Sequence, residues 1–397
     1  MQAVKLWHTR ARRALPTIHA TRLASLFAAV GGLLKGRQLW SSGVGRHLPT
    51  QVSEKHNIKR VDRLLGNGQL HTELPALYGW LNSLLLSPDS QPCLLVDWSD
   101  VDTTKGLFLL RAAAAVDGRA LTVYEAVYPR YQHPKDMETF LDTLAQVLPE
   151  GCRPILVTDA GFRSPWFRSV EARGWSYVGR VRNREYVRLA DQDTWFPAKS
   201  LYAKATQIPH ALGELWIPRA NPFFTRAYLY HRPAQGRHRL TARGKRRRNG
   251  PSEKHARGER EPWLLVSNLP SRQHTAKRIV DLYRQRMTIE QAFRDLKAYR
   301  HGFALRANLG RRHDRIANLL LIAAFAIFIL WCIGLVGISR GLDRLLKANT
   351  ERRQRVLSTF FIGGRVFMRG IRVRLAELNL ALTALRLTVL RNGGATT

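Results

Sequence analysis

The chain has 397 residues, too many for one simple core, and its 45% hydrophobic content excludes a disordered or low-complexity protein. Its 64 Lys and Arg outweigh 29 Asp and Glu for a formal charge of +35, which points to a polyanionic partner, nucleic acid ahead of an anionic membrane surface. The three cysteines, Cys93, Cys152 and Cys332, stand far apart without a CxxC or Cys/His cluster, which argues against a disulfide scaffold and a zinc site and suits a reducing compartment.

Residues 1–88 read as a helical domain. No acid precedes Glu54, whereas Lys5, Arg10, Arg12, Arg13, Arg22, Lys35, Arg37 and Arg46 do, a bias that transit peptides share. The apolar patch LASLFAAVGGLL follows a long charged lead and has no clear cleavage site, so it reads as part of the fold rather than a secretory signal. SEKHNIKRVDRLLGNG predicts an amphipathic helix with Ser53 as N-cap and Gly66 at its stop. Lys55, Lys59, Arg60 and Arg63 lie near its polar side and read equally as a phosphate-facing or a solvated surface.

Pro88, Asp89, Ser90 and Pro92 mark a break, after which residues 89–183 alternate strands and helices. QPCLLVDW, LFLLRAAAAV and ALTVYEAVY predict three strands, KDMETFLDTLAQVL a helix, PILVTDAG a strand, SPWFRSVEARG a helix and WSYVGRVR a strand, together a mixed sheet covered by helices. Residues 184–273 break this rhythm, with LWIPR, RAYLYHR and PWLLVSN between Pro and Gly, and read as a mostly β insertion. Within it, residues 236–260 hold ten Lys or Arg against two Glu, including KRRR at 245–248, a basic loop that either grips phosphate or stays solvated.

Helices return over 274–340, and 341–397 read as a helical tail. In LYRQRMTIEQAFRDLK, residues 282–297, a single helix at ~100° per residue would put Tyr283, Arg286, Glu290 and Lys297 within a narrow face at ~0°, ~300°, ~340° and ~320°. Leu282, Ile289, Phe293 and Leu296 form an adjacent apolar stripe fit for a core. The bland alternative is a solvated face with an ordinary i,i+4 pair between Arg286 and Glu290. Downstream, LLLIAAFAIFILWCIGLVGI at 319–338 carries no charge and is long enough to span a bilayer. The Arg-rich flanks favour a helix buried inside a large domain, and the span stays open as the alternative.

Two further acids end apolar strands: Asp97 in CLLVDW and Asp159 in ILVTDAG. Strand ends are where α/β sheets present functional groups, although each aspartate alone also suits a turn or a helix cap. Three carboxylates, Asp97, Asp159 and Glu290, suit a divalent metal with oxygen ligands, Mg²⁺ above all because it works alongside phosphate, and two such ions can serve an in-line displacement.

YRQRMTIEQAFRDLK resembles the Tyr-x₂-Arg-x₃-Glu-x₆-Lys signature of the DDE transposases of bacterial insertion sequence family four, and the chain looks most similar to the Tn-ten type. The supporting segments are IKRVDRLLGN, LLVDWSD, VTDAGFRSPWFRSVEARGW, EPWLLVSNLP and AFRDLK, in order along nearly the whole chain and weakening after about residue 340. The resemblance implies an α/β fold: an RNase H-like mixed-sheet catalytic core with a β insertion, a helical N-terminal DNA-binding domain and a helical C-terminal region. It implies that Asp97, Asp159 and Glu290 bind two Mg²⁺ ions, with Mn²⁺ as a substitute. Tyr283, Arg286 and Lys297 match residues that contact DNA phosphates. Trp263 aligns with an aromatic on which a flipped-out base stacks, and a core tryptophan is the equal alternative. The implied activity is cut-and-paste transposition by metal-dependent phosphoryl transfer, through a hairpin. The implied partners are terminal inverted repeats and target DNA, held by a dimer in the bacterial cytoplasm, with no membrane. A nuclease of the same fold without strand transfer, and a non-catalytic DNA-binding descendant, are the rival readings.

Overall fold

The computed structural model of the chain describes residues 2–182, 185–233, 261–300, 302–348 and 355–393. The basic run 236–260, with its KRRR, lies outside the described residues. The chain forms two compact units, Met1–Pro154 with Met287–Thr397, and Ile155–Arg286.

The first unit opens with helices α1 (Gln2–Ala14), α2 (Ala20–Gly36), α3 (Ser41–Arg46), α4 (Glu54–Leu65), α5 (Gly68–Thr72) and α6 (Leu74–Leu85). Ser53 and Gly66 bound α4 as the sequence predicts, but the Ser53 hydroxyl bonds His56 Nδ1 at 2.8 Å instead of capping a backbone N–H. Strands β1 (Cys93–Asp102), β2 (Leu107–Val116) and β3 (Arg119–Tyr128) then make an antiparallel meander, followed by α7 (Pro134–Val147). The register aligns Asp97 with Arg111 and Arg111 with Glu125, one polar row across three strands. The rest of β2 is almost wholly buried, so its Ala112–Ala115 run reads as a strand covered on both faces, where small side chains let the flanking layers come close.

The second unit comprises β4 (Ile155–Thr158), α8 (Ser164–Ala172), β5 (Ser176–Val181), β6 (Tyr186–Leu189), β7 (Phe196–Pro197), β8 (His210–Ile217), β9 (Phe223–Tyr230), β10 (Trp263–Ser267) and α9 (Ala276–Arg284). Its strands follow the order β4-β5-β10-β9-β8-β6-β7; β4 and β5 pair in parallel through α8, and the insertion strands pair antiparallel. Thr275 starts α9 as its N-cap, accepting from the Arg278 N–H.

The chain then returns to the first unit with α10 (Met287–Lys297), α11 (His313–Ser339), α12 (Leu342–Leu346), α13 (Thr359–Met368) and α14 (Leu375–Gly393). Helix α11 contains the charge-free segment, and its most apolar window is 94% buried inside the protein. It packs against α2, α13, α14 and β3, with Trp7 edge-on to Phe328 at 5.3 Å and Trp80 stacked on Phe325 at 5.7 Å. Helix α13 crosses it closely: a Cβ on Gly363 would fall on the Leu330 carbonyl oxygen, and one on Gly334 on the Thr359 carbonyl oxygen. Of the described helices, α11 alone is long and apolar enough to cross a membrane, and it serves here as a core helix.

Candidate active site

Strand β1 buries Cys93 to Val96 and Trp98 and runs on to Asp102, so Asp97 lies half-buried within the strand and not at its end as the sequence suggests. The Asp97 carboxylate accepts the Trp98 backbone N–H at 2.9 Å. Helix α10 buries Ile289, Phe293 and Leu296 of the expected apolar stripe, together with Ala292, against β1, β2 and β3, whereas Leu282, the stripe's fourth member, is buried on α9 in the second unit. That docking brings Glu290, in the first turn, and Lys297, in the last, to one pocket of about 350 Å³ with Asp97 and Ser99. A carboxylate in the first turn and a cation in the last also complement the helix dipole.

Lys297 is only 8% exposed. It donates to Ser99 Oγ at 2.7 Å and to the Asp100 carbonyl, and its ammonium lies 5.6 Å from the Phe293 ring centre. Burial is the main reason its pKa falls to about 8; the Arg306 and Arg111 cations push the same way, against Asp100 and Asp97. Below the pocket Arg111, 1% exposed, donates to Glu125 Oε2 from Nε at 2.8 Å and from Nη2 at 2.5 Å, and stacks on Phe293 at 4.8 Å. Burial holds the Glu125 carboxyl above its usual value, against the pull of Arg111 and of the Tyr78 hydroxyl that bonds it at 3.3 Å.

The remaining predicted residues belong to the second unit. Asp159 follows β4 and its Oδ1 accepts the Gly161 N–H at 2.8 Å, the turn-forming geometry open to an aspartate there. Tyr283 is 4% and Trp263 7% exposed, their rings edge-to-face at 4.8 Å, with Tyr230 on Trp263 at 5.6 Å. Burial pushes the Tyr283 phenol up, opposed by Arg286 and Arg180.

The single helix expected over 282–297 does not form. Helix α9 ends at Arg284, Gln285 caps it, the Arg286 N–H bonds the Tyr283 carbonyl at 3.1 Å in a tighter turn, and α10 begins at Met287. Tyr283 and Arg286 therefore share no helical face with Glu290 and Lys297, and the continuous edge that one helix would have provided is absent. No Gly or Pro marks the break, which falls where the chain passes from one unit to the other.

The family described as Transposase DDE domain matches residues 88–329, more than half of the chain. The chain belongs to this transposase family. No curated protein matches it. The transposase DDE domain is RNase H-like and acts in DNA transposition and recombination, and the family uses divalent metal ions.

In this DDE transposase, sequence reasoning passed over several residues of the pocket that holds Asp97 and Glu290. Ser99 lies two residues after Asp97 on β1, hence on the same side of the strand, and Arg294 lies four after Glu290 on α10; both spacings were readable signals. Arg306 and Tyr299 line the same pocket from beyond α10 and carried no such signal. Among the described residues no group of three or more His, Cys, Asp and Glu is assembled for a metal ion. Asp97 and Glu290 nevertheless offer hard oxygen donors at one pocket, which fits Mg²⁺, an ion commonly held by one or two carboxylates together with water and substrate phosphate.

Proposed function

We propose that the chain is a cut-and-paste transposase of the insertion sequence family four kind, nearest the Tn-ten type, that excises its element through a hairpin intermediate. One observation carries the reading: two carboxylates, Asp97 and Glu290, share a pocket with the buried cation Lys297 and the guanidinium groups of Arg294 and Arg306. Acids that take a divalent cation and bases that take phosphate are what phosphoryl transfer on DNA requires. In this reading the carboxylates of Asp97, Asp159 and Glu290 would be the ligands of two Mg²⁺ ions, with Mn²⁺ able to replace them. The bound ions would supply a more acidic attacking water and neutralise charge on the phosphate.

The chain's own residues do the rest. Lys297, with little solvent around it, donates to a phosphate oxygen, and the anion in turn favours its protonated form. Arg294 and Arg306 hold neighbouring phosphates, and Tyr283 and Arg286 are assigned the same task in the second unit. Water forms a bond to phosphorus as the bond to the element's 3′ oxygen breaks, and that oxygen takes the proton. The freed 3′ hydroxyl then attacks a phosphate of the opposite strand, closing the hairpin as that phosphate's bond to the flanking DNA's 3′ oxygen breaks and that oxygen takes the proton. Water reopens the hairpin by displacing the element's 3′ oxygen, and the regenerated 3′ hydroxyl joins a target phosphate as a target 3′ oxygen leaves. Trp263 is assigned to stack on the extruded base, which requires its packing against Tyr230 and Tyr283 to open. Two terminal repeats held together call for a dimer, acting in the bacterial cytoplasm.

The test is incubation of the purified chain with a labelled duplex bearing its element's terminal repeats, in Mg²⁺ and in EDTA. Mg²⁺-dependent cutting at the repeat boundary with a hairpin product is expected. Glu290→Gln is expected to bind that duplex as the unaltered chain does and to lose cleavage by at least about a hundredfold, as removal of a single transition-state stabilising group does. Appreciable cutting by Glu290→Gln would overturn the assignment.

A further inference from the structure

The residue after Asp97 opens a second surface. Trp98 lines the pocket with Asp97 and Glu290 and is 6% exposed, and its indole N–H finds no hydrogen-bond partner among the described residues. Tyr131 packs against it, ring centres 5.4 Å apart at 59°, and against Phe108 at 5.9 Å. Strand alternation turns the Trp98 indole to the sheet face opposite Asp97 and Ser99, where it also meets Tyr128 at 5.9 Å, and 51% of Tyr131 stays exposed, so the aromatic row runs from the strand that borders the pocket out to solvent. The loop that carries it, PRYQH at 129–133, follows β3, and Arg130, the residue before Tyr131, is exposed as well. Gln132 holds φ +54°, a left-handed backbone that a non-glycine residue adopts at a cost, so the turn presenting Tyr131 is specified and not slack.

A half-exposed tyrosine ring near a phosphate-handling pocket has a defined use. Every nucleobase has a π-face, stacking on tyrosine is tolerant of sequence, and an adjacent arginine takes the backbone phosphate. A buried indole N–H without a partner adds a donor that a phosphate or base oxygen would satisfy. We infer that Trp98, Tyr131 and Phe108 form a nucleobase-stacking site next to the Asp97 and Glu290 pocket, with Tyr131 as the outer platform for an unpaired base of the DNA strand. The inference rests on the reading of that pocket as a DNA site. It assigns to the first unit an aromatic contact separate from Trp263, which is buried in the second.

The experiment uses the full chain and a DNA duplex ending in a short single-stranded extension that carries the fluorescent base 2-aminopurine. The unaltered chain and Tyr131→Phe are expected to quench the probe on binding. Tyr131→Ala is expected to lose the quenching and bind the extended probe roughly tenfold more weakly, with binding of a blunt duplex and its salt slope unchanged. Quenching by Tyr131→Ala equal to that of the unaltered chain would refute the stacking site while leaving the DNA reading in place. Failure of the unaltered chain to bind either duplex would sink the DNA reading, and the stacking site with it.

Discussion

Lys297 is a charged group held where charge is expensive, and its titration follows from that. Its pKa lies at about 8 in the folded chain, below the usual lysine value of 10.5. Between those two values the unfolded chain binds more protons than the folded one, so stability rises with pH from about 8 to about 10.5. The penalty is present in full below about 8 and corresponds to something on the order of 3 kcal/mol. Lys297→Met should flatten that part of the pH–stability curve, measured by urea unfolding at several pH values. DNA cleavage at sub-saturating DNA, which reports the free chain, should respond with the opposite sign, declining above about pH 8 as the ammonium is lost, whereas Lys297→Arg should carry the decline to higher pH. The Arg111–Glu125 pair is a second buried charge problem. Removing one partner by Arg111→Met strands the other and should cost about 3–5 kcal/mol, while the double variant with Glu125→Leu should cost much less than the sum of the singles in a denaturant cycle.

Elements were legible to different degrees. LFLLRAAAAV forms β2 from its first residue to its last, and SPWFRSVEA of SPWFRSVEARG forms α8, because a short apolar run bounded by turn residues and a Pro at the start of a helix are local signals. The turn at Gln285 and Arg286 was not legible, since every residue there is an acceptable helix former and the helix ends for tertiary reasons. The crossing of α11 and α13 depends on glycine at two positions where backbone meets backbone. Gly363→Ala and Gly334→Ala should each push the helices apart at a cost of about 1–3 kcal/mol, read as a lower melting temperature, and an unchanged melting temperature for both would show that the helices can separate freely.

For the whole molecule, a charge of +35 makes association with polyanions the dominant long-range interaction. Binding to duplex DNA should weaken by roughly 10³-fold or more between about 50 and 200 mM salt if six or more phosphates are contacted, and a gel-shift series in salt measures it. The same salt should release the chain from a cell pellet, because α11 is covered by protein. Sequence by itself determined the family, the apolar strands that lead to Asp97 and Asp159, three members of the apolar stripe beside Glu290 and the polyanionic partner. Those features rest on composition, short-range periodicity and motif order, which survive in a linear string. Only the tertiary structure decided that the charge-free segment is a core helix, because protein interior and lipid are alike in excluding water from an apolar side chain. Only it decided that Lys297 is buried against Ser99, 198 residues away in the chain, and that Trp98 and Tyr131 meet beside the pocket. A pKa and a binding surface are set by what surrounds a group, and those neighbours come from distant segments brought together by folding.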